Sequence, residues 1–250
     1  MRIIVNADDL GATPEINHAV FDMMNRGLVS SATILANGPA VKDAIRSIPR
    51  FPACSFGVHL NVTQYAPISG AERFGPLLAN GLLARTMETA PAGRRLVAAV
   101  YAEWCAQVGF LLDSGVAISH FDSHHHVHNR PILLPVLKAL MLKFGINRVR
   151  ISKNVYSPDL PATRLKLVQK HVFNAALRRL PKARTTSGFT EFQSFFDIRR
   201  ALLPIHHTTL ELMLHPGAES EKYRTEAGLL VDGVLESLSP GARLISYAEL

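Results

Sequence analysis

The sequence predicts an α/β fold of the (β/α) barrel type. Segments with strand-like and helix-like hydrophobic periods alternate from one end of the chain to the other, and eight of these segments are strand candidates. No low-complexity linker or shift in composition divides the chain, so we expect one domain over residues 1–250.

Each strand candidate is a short run rich in apolar residues, and each helical candidate is longer, with apolar residues at a period near 3.6. The strand candidates lie at residues 2–7, 29–35, 55–61, 117–122, 148–151, 185–189, 208–214 and 243–246. The helical candidates lie at residues 14–26, 41–48, 96–114, 131–144 and 162–180, and glycine follows three of them at positions 27, 115 and 145. Residues 64–91 have no clear period and contain several Pro and Gly residues, which predicts a long loop that shapes a substrate pocket.

The composition is that of a globular protein with a sizeable core, since 48% of the 250 residues are hydrophobic and 19% are charged. No uninterrupted apolar run is long enough to span a bilayer, and the first residues enter a strand pattern without a leader, so we expect a cytoplasmic protein. Cys54 and Cys105 have neither CxxC nor zinc-finger spacing, which favours buried free thiols.

The net charge of +7 is spread unevenly along the chain. Residues 143–184 contain eleven Lys or Arg residues and a single acid, Asp159. The helix predicted at 162–180 within this segment is amphipathic, with Leu165, Val168 and Val172 on one stripe and most of its bases elsewhere. Two interpretations stay open: an outer helix with a solvated basic face, or a surface that binds an anionic membrane or another polyanion.

Residues 120–128 hold five of the eleven histidines, directly after a predicted strand. Neutral imidazole is a good zinc ligand, and the carboxyl ends of strands in α/β folds face the substrate. A histidine run on a solvated loop is the alternative. Alternating strand residues face opposite ways, so only one or two of the five would be ligands.

Two further polar groups follow strand candidates. Asp8 and Asp9 come after the first strand, and adjacent carboxylates are tolerated best where a cation neutralises one of them and leaves the other as a base. Their alternative role as a helix cap is weakened by Thr13, a better cap that is followed by Pro14. His59 stands alone in an apolar strand, where it is either a hydrogen-bonded core residue or a metal ligand with Asp9.

His215 and Arg150 complete the candidate site. The sequence LHPG at 214–217 ends a strand and leaves His215 near the rim, where it could donate a proton. Arg150 could pair with Asp8 or Asp9 and hold the base ionised, or it could be a surface arginine in a basic segment. A barrel would gather all of these side chains at its carboxyl face.

Four motifs occur in a specific order: VNADDLG at 5–11, GVH at 57–59, HFDSHHHVH at 120–128 and LHPG at 214–217. In this order and spacing the chain resembles the YdjC/ChbG family of carbohydrate deacetylases over nearly its whole length. The resemblance implies a distorted, TIM-like (β/α) barrel related to polysaccharide deacetylases. It also implies hydrolytic removal of acetyl from an N-acetylated sugar, with one divalent metal ion such as Zn²⁺ or Mg²⁺. Relatives act on chitooligosaccharides, and a hopanoid-associated, HpnK-like branch is linked to a sugar-bearing lipid.

When the family motifs are matched to this sequence, the resemblance implies that Asp9, His59 and His124 are the metal ligands. It assigns the general base to Asp8 and the general acid to His215. Leu10 stands where the family usually has phenylalanine, which is a conservative departure. The roles of the neighbouring histidines stay open, namely His125, His126 and His128.

Two other function classes are alternatives. A metal-dependent phosphoesterase on a barrel would also use clustered His and Asp, although such sites usually contain more carboxylates and a second metal. A basic non-enzymatic protein that binds nucleic acid or an anionic membrane would use the positive charge alone. Only 7% of residues are aromatic and no nucleic-acid motif is recognised, so no nucleic acid is expected. The expected partners are an N-acetylated sugar, an anionic membrane surface and, in a homodimer, a second copy of the chain.

Overall fold

A curled, parallel β-sheet forms the centre of the protein in a computed structural model that describes residues 1–91, 93–157 and 162–250. The strands are β1 Arg2–Leu10, β2 Ser31–Ile34, β3 Ser55–Leu60, β4 Ile118–Ser123, β5 Gly188–Glu191, β6 Thr209–Leu214 and β7 Arg243–Leu244. Their order is β4-β3-β2-β1-β6-β5, and β7 pairs with the start of β1. The α/β prediction of a distorted barrel is confirmed, in the form of a half-barrel. The expectation of a single domain stays a prediction.

The strand predicted at 148–151 does not form within the described residues. It is reduced to isolated bridges, in which Val149 pairs with Phe121 of β4 and Arg148 pairs with Arg184. This segment therefore crosses the gap between β4 and the chain that leads into β5. The irregular crossing brings the side chain of Arg150 into the barrel, where it is completely buried.

Eight α-helices surround the sheet in the described residues: α1 Pro14–Asn25, α2 Val41–Ser47, α3 Arg94–Asp113, α4 Leu134–Phe144, α5 Arg164–Arg178, α6 Phe192–Arg200, α7 Glu221–Leu229 and α8 Val234–Leu238. The first five lie within about three residues of the predicted helices. The last three were not predicted. Helix α7 has a weak apolar period and α8 has only five residues, but α6 carried a signal that was missed, since Phe192, Phe195 and Ile198 recur at helical spacing and are buried. Asp159, the single acid of the basic segment, lies outside the described residues.

Local signals explain where α1 and α4 begin and end. Thr13 caps α1, since its Oγ1 accepts a hydrogen bond from the backbone N–H of Ile16 at 3.2 Å, and Pro14 follows in the first turn. Gly145 ends α4 in the left-handed conformation, with φ +69°. The cap at Thr13 leaves Asp8 and Asp9 available for another role.

Helix α3 comes nearest to a membrane span, although Glu103 and Gln107 interrupt its apolar residues. An 18-residue window of this helix has a mean hydropathy of 1.3, which by length and composition alone is enough to cross a bilayer. However, Trp104, Val108 and Leu111 are completely buried in the core, on the side of the helix that contacts β3. Helix α3 therefore serves as a core helix in this fold. Cys54 and Cys105 are free thiols, as predicted, but they are only half-buried.

The concave face of the sheet is unusually polar for a protein interior. Asn6, Thr33, His59, Asp122 and Glu211 are buried on five different strands and contact one another or Arg150. A small apolar cluster lies at the amino-terminal end of these strands and consists of Ile4, Ile245 and Tyr247. The main hydrophobic core contains the outward-facing strand residues and the helices. The polar interior is therefore available for chemistry rather than for packing.

His120 shows how closely this interior is packed. Its ring is completely buried and stacks on Tyr247 with ring centroids 3.6 Å apart. The ring occupies the space next to Gly57, where a Cβ atom would lie 2.5 Å from His120 Cε1. Gly57, the glycine of the GVH motif, therefore has to lack a side chain because the His120 ring fills that space.

We expect Gly57→Ala to destabilise the protein by about 1–3 kcal/mol, because the new methyl group would displace the His120 ring from its stack. Gly109→Ala in α3 is the control, since a Cβ there meets no atom within 4 Å and alanine favours the helix. Urea unfolding of the two variants and the wild type provides the measurement. Equal stability of Gly57→Ala and the wild type would contradict this account.

Candidate active site

A bulge at the end of β1 turns two consecutive carboxylates toward the same region. The pairing of β1 with β2 changes register between Ala7 and Leu10, and Asp9 has φ +67°. In a regular strand neighbouring side chains face opposite sides of the sheet. A non-glycine residue at positive φ is strained, and such strain often occurs at functional sites. The bulge lets both Asp8 and Asp9 reach the carboxyl end of the barrel.

Asp9, His59 and His124 converge on one point. The Oδ1 atom of Asp9 lies 3.3 Å from Nε2 of His59 and 2.9 Å from Nδ1 of His124. This oxygen is buried and has no hydrogen-bond partner of acceptable geometry among the described residues. One oxygen and two nitrogen atoms within 4.8 Å of one another could hold a metal ion. The three ligands predicted from the sequence are therefore brought together.

The second nitrogen of His59 is held from behind. Its Nδ1 lies 2.7 Å from Oδ1 of Asp122 and 3.1 Å from Oγ1 of Thr33. Such a carboxylate partner fixes the ring and directs the free nitrogen outward. Burial alone would lower the pKa of His59, but Asp122 and Asp8 raise it to about 10. The site therefore attracts positive charge.

Arg150 lies at the centre of the barrel and binds three carboxylates. Its Nη1 and Nη2 donate to the two oxygens of Asp8 at 2.7 Å each, and Nη1 also lies 2.6 Å from Asp122. Its Nε donates to Glu211 at 2.7 Å, and the hydroxyl of Tyr247 donates to the other oxygen of Glu211. The predicted pairing of Arg150 with Asp8 is present, and a surface position for Arg150 is excluded.

The carboxyl groups around Arg150 differ in acidity. Burial would raise the pKa of Asp8, but the charge and hydrogen bonds of Arg150 outweigh it and hold that pKa well below its usual value. For Glu211 burial prevails, and its pKa rises to about 7 in spite of Arg150. One guanidinium cannot neutralise three carboxylates, so the third takes up a proton most readily.

His215 follows β6 and is largely buried, rather than exposed at the rim. Its Nδ1 lies 3.9 Å from Oε2 of Glu226, a completely buried carboxylate, and its ring stacks on Tyr223 with centroids 4.1 Å apart. Burial would lower the pKa of His215, but Glu226, Asp8 and Asp9 together raise it. These three carboxylates therefore favour the protonated form of His215.

The other histidines of the 120–128 run have neighbours outside the metal-ligand group. His128 is buried between the hydroxyl of Ser123, at 2.5 Å from its Nδ1, and the backbone carbonyl of Arg150, at 3.2 Å from its Nε2. His125 lies 2.9 Å from Thr63, and His126 packs edge-on against Phe189. His125 and His126 have left-handed backbones, which turn the chain away from the strand direction directly after His124.

The loop at 64–91 contacts the site, as its predicted role requires. Gln64 lies 2.8 Å from Nε2 of His124, and Glu88 lies 3.8 Å from His125. Phe74 and Met87 anchor the loop in the core. A long segment without α-helix or strand is therefore held in place beside the candidate metal ligands.

Sequence reasoning missed several residues of the site. Asp122, Glu211, Tyr247 and Glu226 were not selected, although each contacts a predicted site residue. Glu211 had a visible signal, because it is the single charged residue in the apolar strand β6. The positions of Tyr247 and Glu226 depend on long-range packing, which no local pattern reveals.

Comparisons with known proteins agree with this architecture. The family described as YdjC-like protein matches residues 2–237. A carbohydrate deacetylase of Listeria monocytogenes is 34% identical over 199 residues, which cover 69% of this chain and 76% of the relative. A carbohydrate deacetylase of Geobacillus stearothermophilus is 28% identical over 98% of this chain and 96% of its own length. The crystal structure of a protein from Enterococcus faecalis, described as a cellobiose-phosphate cleavage protein, has a TM-score of 0.76, 24% identity and coverage of 99% of this chain and 98% of its own, which shows the shared fold.

The raised pKa of Glu211 predicts a specific pH dependence of stability. Because the folded pKa, about 7, exceeds the ordinary value of 4.5, the folded state binds more protons between these values, and the contribution is lost as pH rises through 7. Between pH 5 and 8 the wild type should therefore lose about 2–3 kcal/mol more stability than Glu211→Gln, which cannot titrate. Urea unfolding at several pH values measures this, with exposed Glu219→Gln as the control. Parallel pH profiles for the wild type and Glu211→Gln would refute the prediction.

Proposed function

The chain belongs to the YdjC-like protein family, and we propose that it is a carbohydrate deacetylase that removes acetyl from an N-acetylated sugar with one divalent metal ion. Relatives named carbohydrate deacetylase support the reaction, at identities of 34% and 28%. The observation that carries the metal-dependent mechanism is the convergence of Asp9, His59 and His124. The sugar would be part of an oligosaccharide or a glycolipid.

The residues present fit a divalent metal. The buried Oδ1 of Asp9 has no hydrogen-bond donor of good geometry in the described structure, and His59 presents its Nε2 to that oxygen while Asp122 holds the other nitrogen. One carboxylate and two imidazoles suit Zn²⁺ with an open position for substrate, and Mg²⁺ would accept fewer nitrogen ligands. We therefore favour Zn²⁺ over Mg²⁺.

Asp8 would act as the general base. When bound, a divalent metal supplies Lewis acidity, which lowers the pKa of a coordinated water and polarises a carbonyl oxygen. Asp8 stays ionised because Arg150 lowers its pKa, so the basic form of this carboxyl group is present over the whole neutral range. Asn6 also donates to Oδ1 of Asp8 at 2.8 Å, which fixes the plane of the carboxylate.

His215 would act as the general acid that protonates the departing amine. Amide hydrolysis requires this proton because an amide anion is a very poor leaving group. Glu226 and the two aspartates raise the pKa of His215, which favours the protonated ring that an acid requires. The Tyr223 ring fixes the orientation of the imidazole by stacking. The two proton-transfer residues thus have opposite charge states, as the chemistry requires.

The geometry favours one metal over the two that a phosphoesterase commonly uses. A second group of potential ligands exists, formed by Asp8, His59 and Asp122. It shares His59 with the first group, and both of its carboxylates already bind the guanidinium of Arg150. A second cation there would compete with a buried arginine. The homodimer, the anionic membrane surface and the cytoplasmic location stay predictions.

The first test separates metal binding from proton transfer. Asp9→Asn should lose both tightly bound metal and acetate release, because it removes the ligand between His59 and His124. Asp8→Asn should retain one metal per chain but release acetate about 10²–10⁴-fold more slowly. Metal content by mass spectrometry and acetate release from N-acetylglucosamine oligosaccharides and glycolipids provide the two measurements.

Chelation of the wild type and restoration with Zn²⁺ is the companion experiment, with Asp113→Asn as the matched control on an exposed helix end. Retained activity after complete metal removal would reject the metal-dependent mechanism. Tight metal binding without acetate release from any substrate would reject the deacetylase assignment, and phosphoesters would be tested next.

The acid role of His215 predicts a dependence on the leaving group. His215→Asn should slow deacetylation of an N-acetylated sugar about 10²–10⁴-fold, because the amine then departs without a proton. Hydrolysis of an aryl acetate should change much less, since a phenolate leaves without protonation. Exposed His206→Asn is the control. Equal losses on the amide and the aryl ester would exclude His215 as the acid.

A further inference from the structure

Helix α5 presents an apolar stripe to solvent. Leu165, Val168 and Val172 are 68%, 59% and 61% exposed, and their spacing of three and four residues places them along one side of the helix. The helix packs on the protein through Phe173 and Leu177, which lie on the opposite side and are buried. The proposed deacetylase chemistry does not use this stripe. A row of exposed large aliphatic side chains marks an interaction surface.

The charge of α5 indicates what kind of partner fits. Its sequence from 164 to 178 contains four Lys or Arg residues and no Asp or Glu. At 100° per residue, Arg164 lies at one edge of the stripe, and His171 and Arg178 follow it along the same edge at intervals of seven residues. An apolar stripe bordered by bases, on a helix without acids, is the pattern of helices that lie in the interface of an anionic bilayer.

The same apolar surface continues toward the candidate site. Val168 and Val172 form one wall of a groove of about 690 Å³, and Pro131 and Leu134 lie among the residues of the other wall. The groove reaches His126, two residues from the proposed metal ligand His124. The stripe is therefore continuous with a groove that ends at the histidine run.

We propose that α5 docks the protein on the surface of an anionic lipid bilayer. In this arrangement Leu165, Val168 and Val172 enter the boundary between head groups and acyl chains, and Arg164 contacts lipid phosphates. This docking does not depend on the deacetylase reaction.

Two other occupants fit the surface less well. Two copies of the chain packed through α5 would bring the bases of both helices together without an acid on either helix. A nucleic acid would contact phosphates and stack its bases on aromatic rings, but the centre of the stripe is aliphatic and Phe173 is buried. The combination of exposed aliphatic residues and bases is satisfied best by anionic lipid.

The test is sedimentation of the full chain with vesicles of phosphatidylcholine, alone or with an equal part of phosphatidylglycerol. The wild type should bind only the anionic vesicles, and added salt should weaken the binding. Arg164→Gln should weaken partitioning about fivefold by removing the base at the edge of the stripe. Leu165→Gln with Val168→Gln should weaken it about tenfold or more without any change in charge.

Leu142→Gln and Lys138→Gln on α4 are the matched controls, since both residues are exposed and Leu142 is 63% accessible. Their vesicle binding should equal that of the wild type, and all variants should deacetylate a water-soluble oligosaccharide at the wild-type rate. Absence of wild-type binding, or binding unaffected by the α5 substitutions, would overturn the proposal. A dimer in size-exclusion chromatography that Leu165→Gln with Val168→Gln dissociates would instead assign the stripe to a second copy. Vesicle binding without any deacetylation would leave the docking supported and reject the proposed function.

Discussion

The buried guanidinium of Arg150 is the interaction on which the barrel interior depends. It binds Asp8 of β1, Asp122 of β4 and Glu211 of β6. Without Arg150, these three carboxyl groups would lie together in a space without solvent and without a compensating charge. Removing one partner of a buried ion pair commonly costs about 3–5 kcal/mol, because the remaining charge is left without compensation. The irregular segment that carries Arg150 replaces a regular strand, and its bridges to Phe121 and Arg184 hold it across the opening of the half-barrel. The segment that carries Arg150 therefore both closes the half-barrel and lowers the pKa of Asp8.

The bulge in β1 gives the two adjacent aspartates different surroundings. Asp8 points into the barrel and is neutralised by Arg150, whereas Asp9 has a left-handed backbone and lies against His59 and His124. Without the bulge, strand alternation would place one of the carboxylates on the outer face, among the helices. The motif at 5–11 contains two acids in succession, and the bulge lets both of their side chains reach the candidate site. Local strain at Asp9 is compensated by the regular pairing of β1 with β6 over six residues.

The sequence predicted those parts of the structure that depend on local patterns of residues. Seven of the eight strands, the first five helices and the cap at Thr13 follow from periodicity and turn chemistry, and the motifs led to the convergence of Asp9, His59 and His124. Among the helices after β5, α7 is polar and α8 has only five residues, whereas the apolar period of α6 was overlooked. The partners behind the site were missed for another reason. The contact of Tyr247 with Glu211 and the contact of Glu226 with His215 depend on how the whole sheet curls, which no single segment encodes.

The charges of the barrel interior support the proposed cation at Asp9. Asp8, Asp9 and Asp122 carry three negative charges beside the single positive charge of Arg150, while Glu211 has a pKa raised to about 7 and readily holds a proton. Without metal, protonation of His59 supplies one compensating charge, which is why its pKa is raised to about 10. A divalent ion at the same point would supply two charges and release that proton, and the three aspartates would then be balanced by Arg150 and the metal. Burial makes any remaining imbalance costly, so the charges that surround Arg150 favour the proposed divalent cation at the carboxyl end of the barrel.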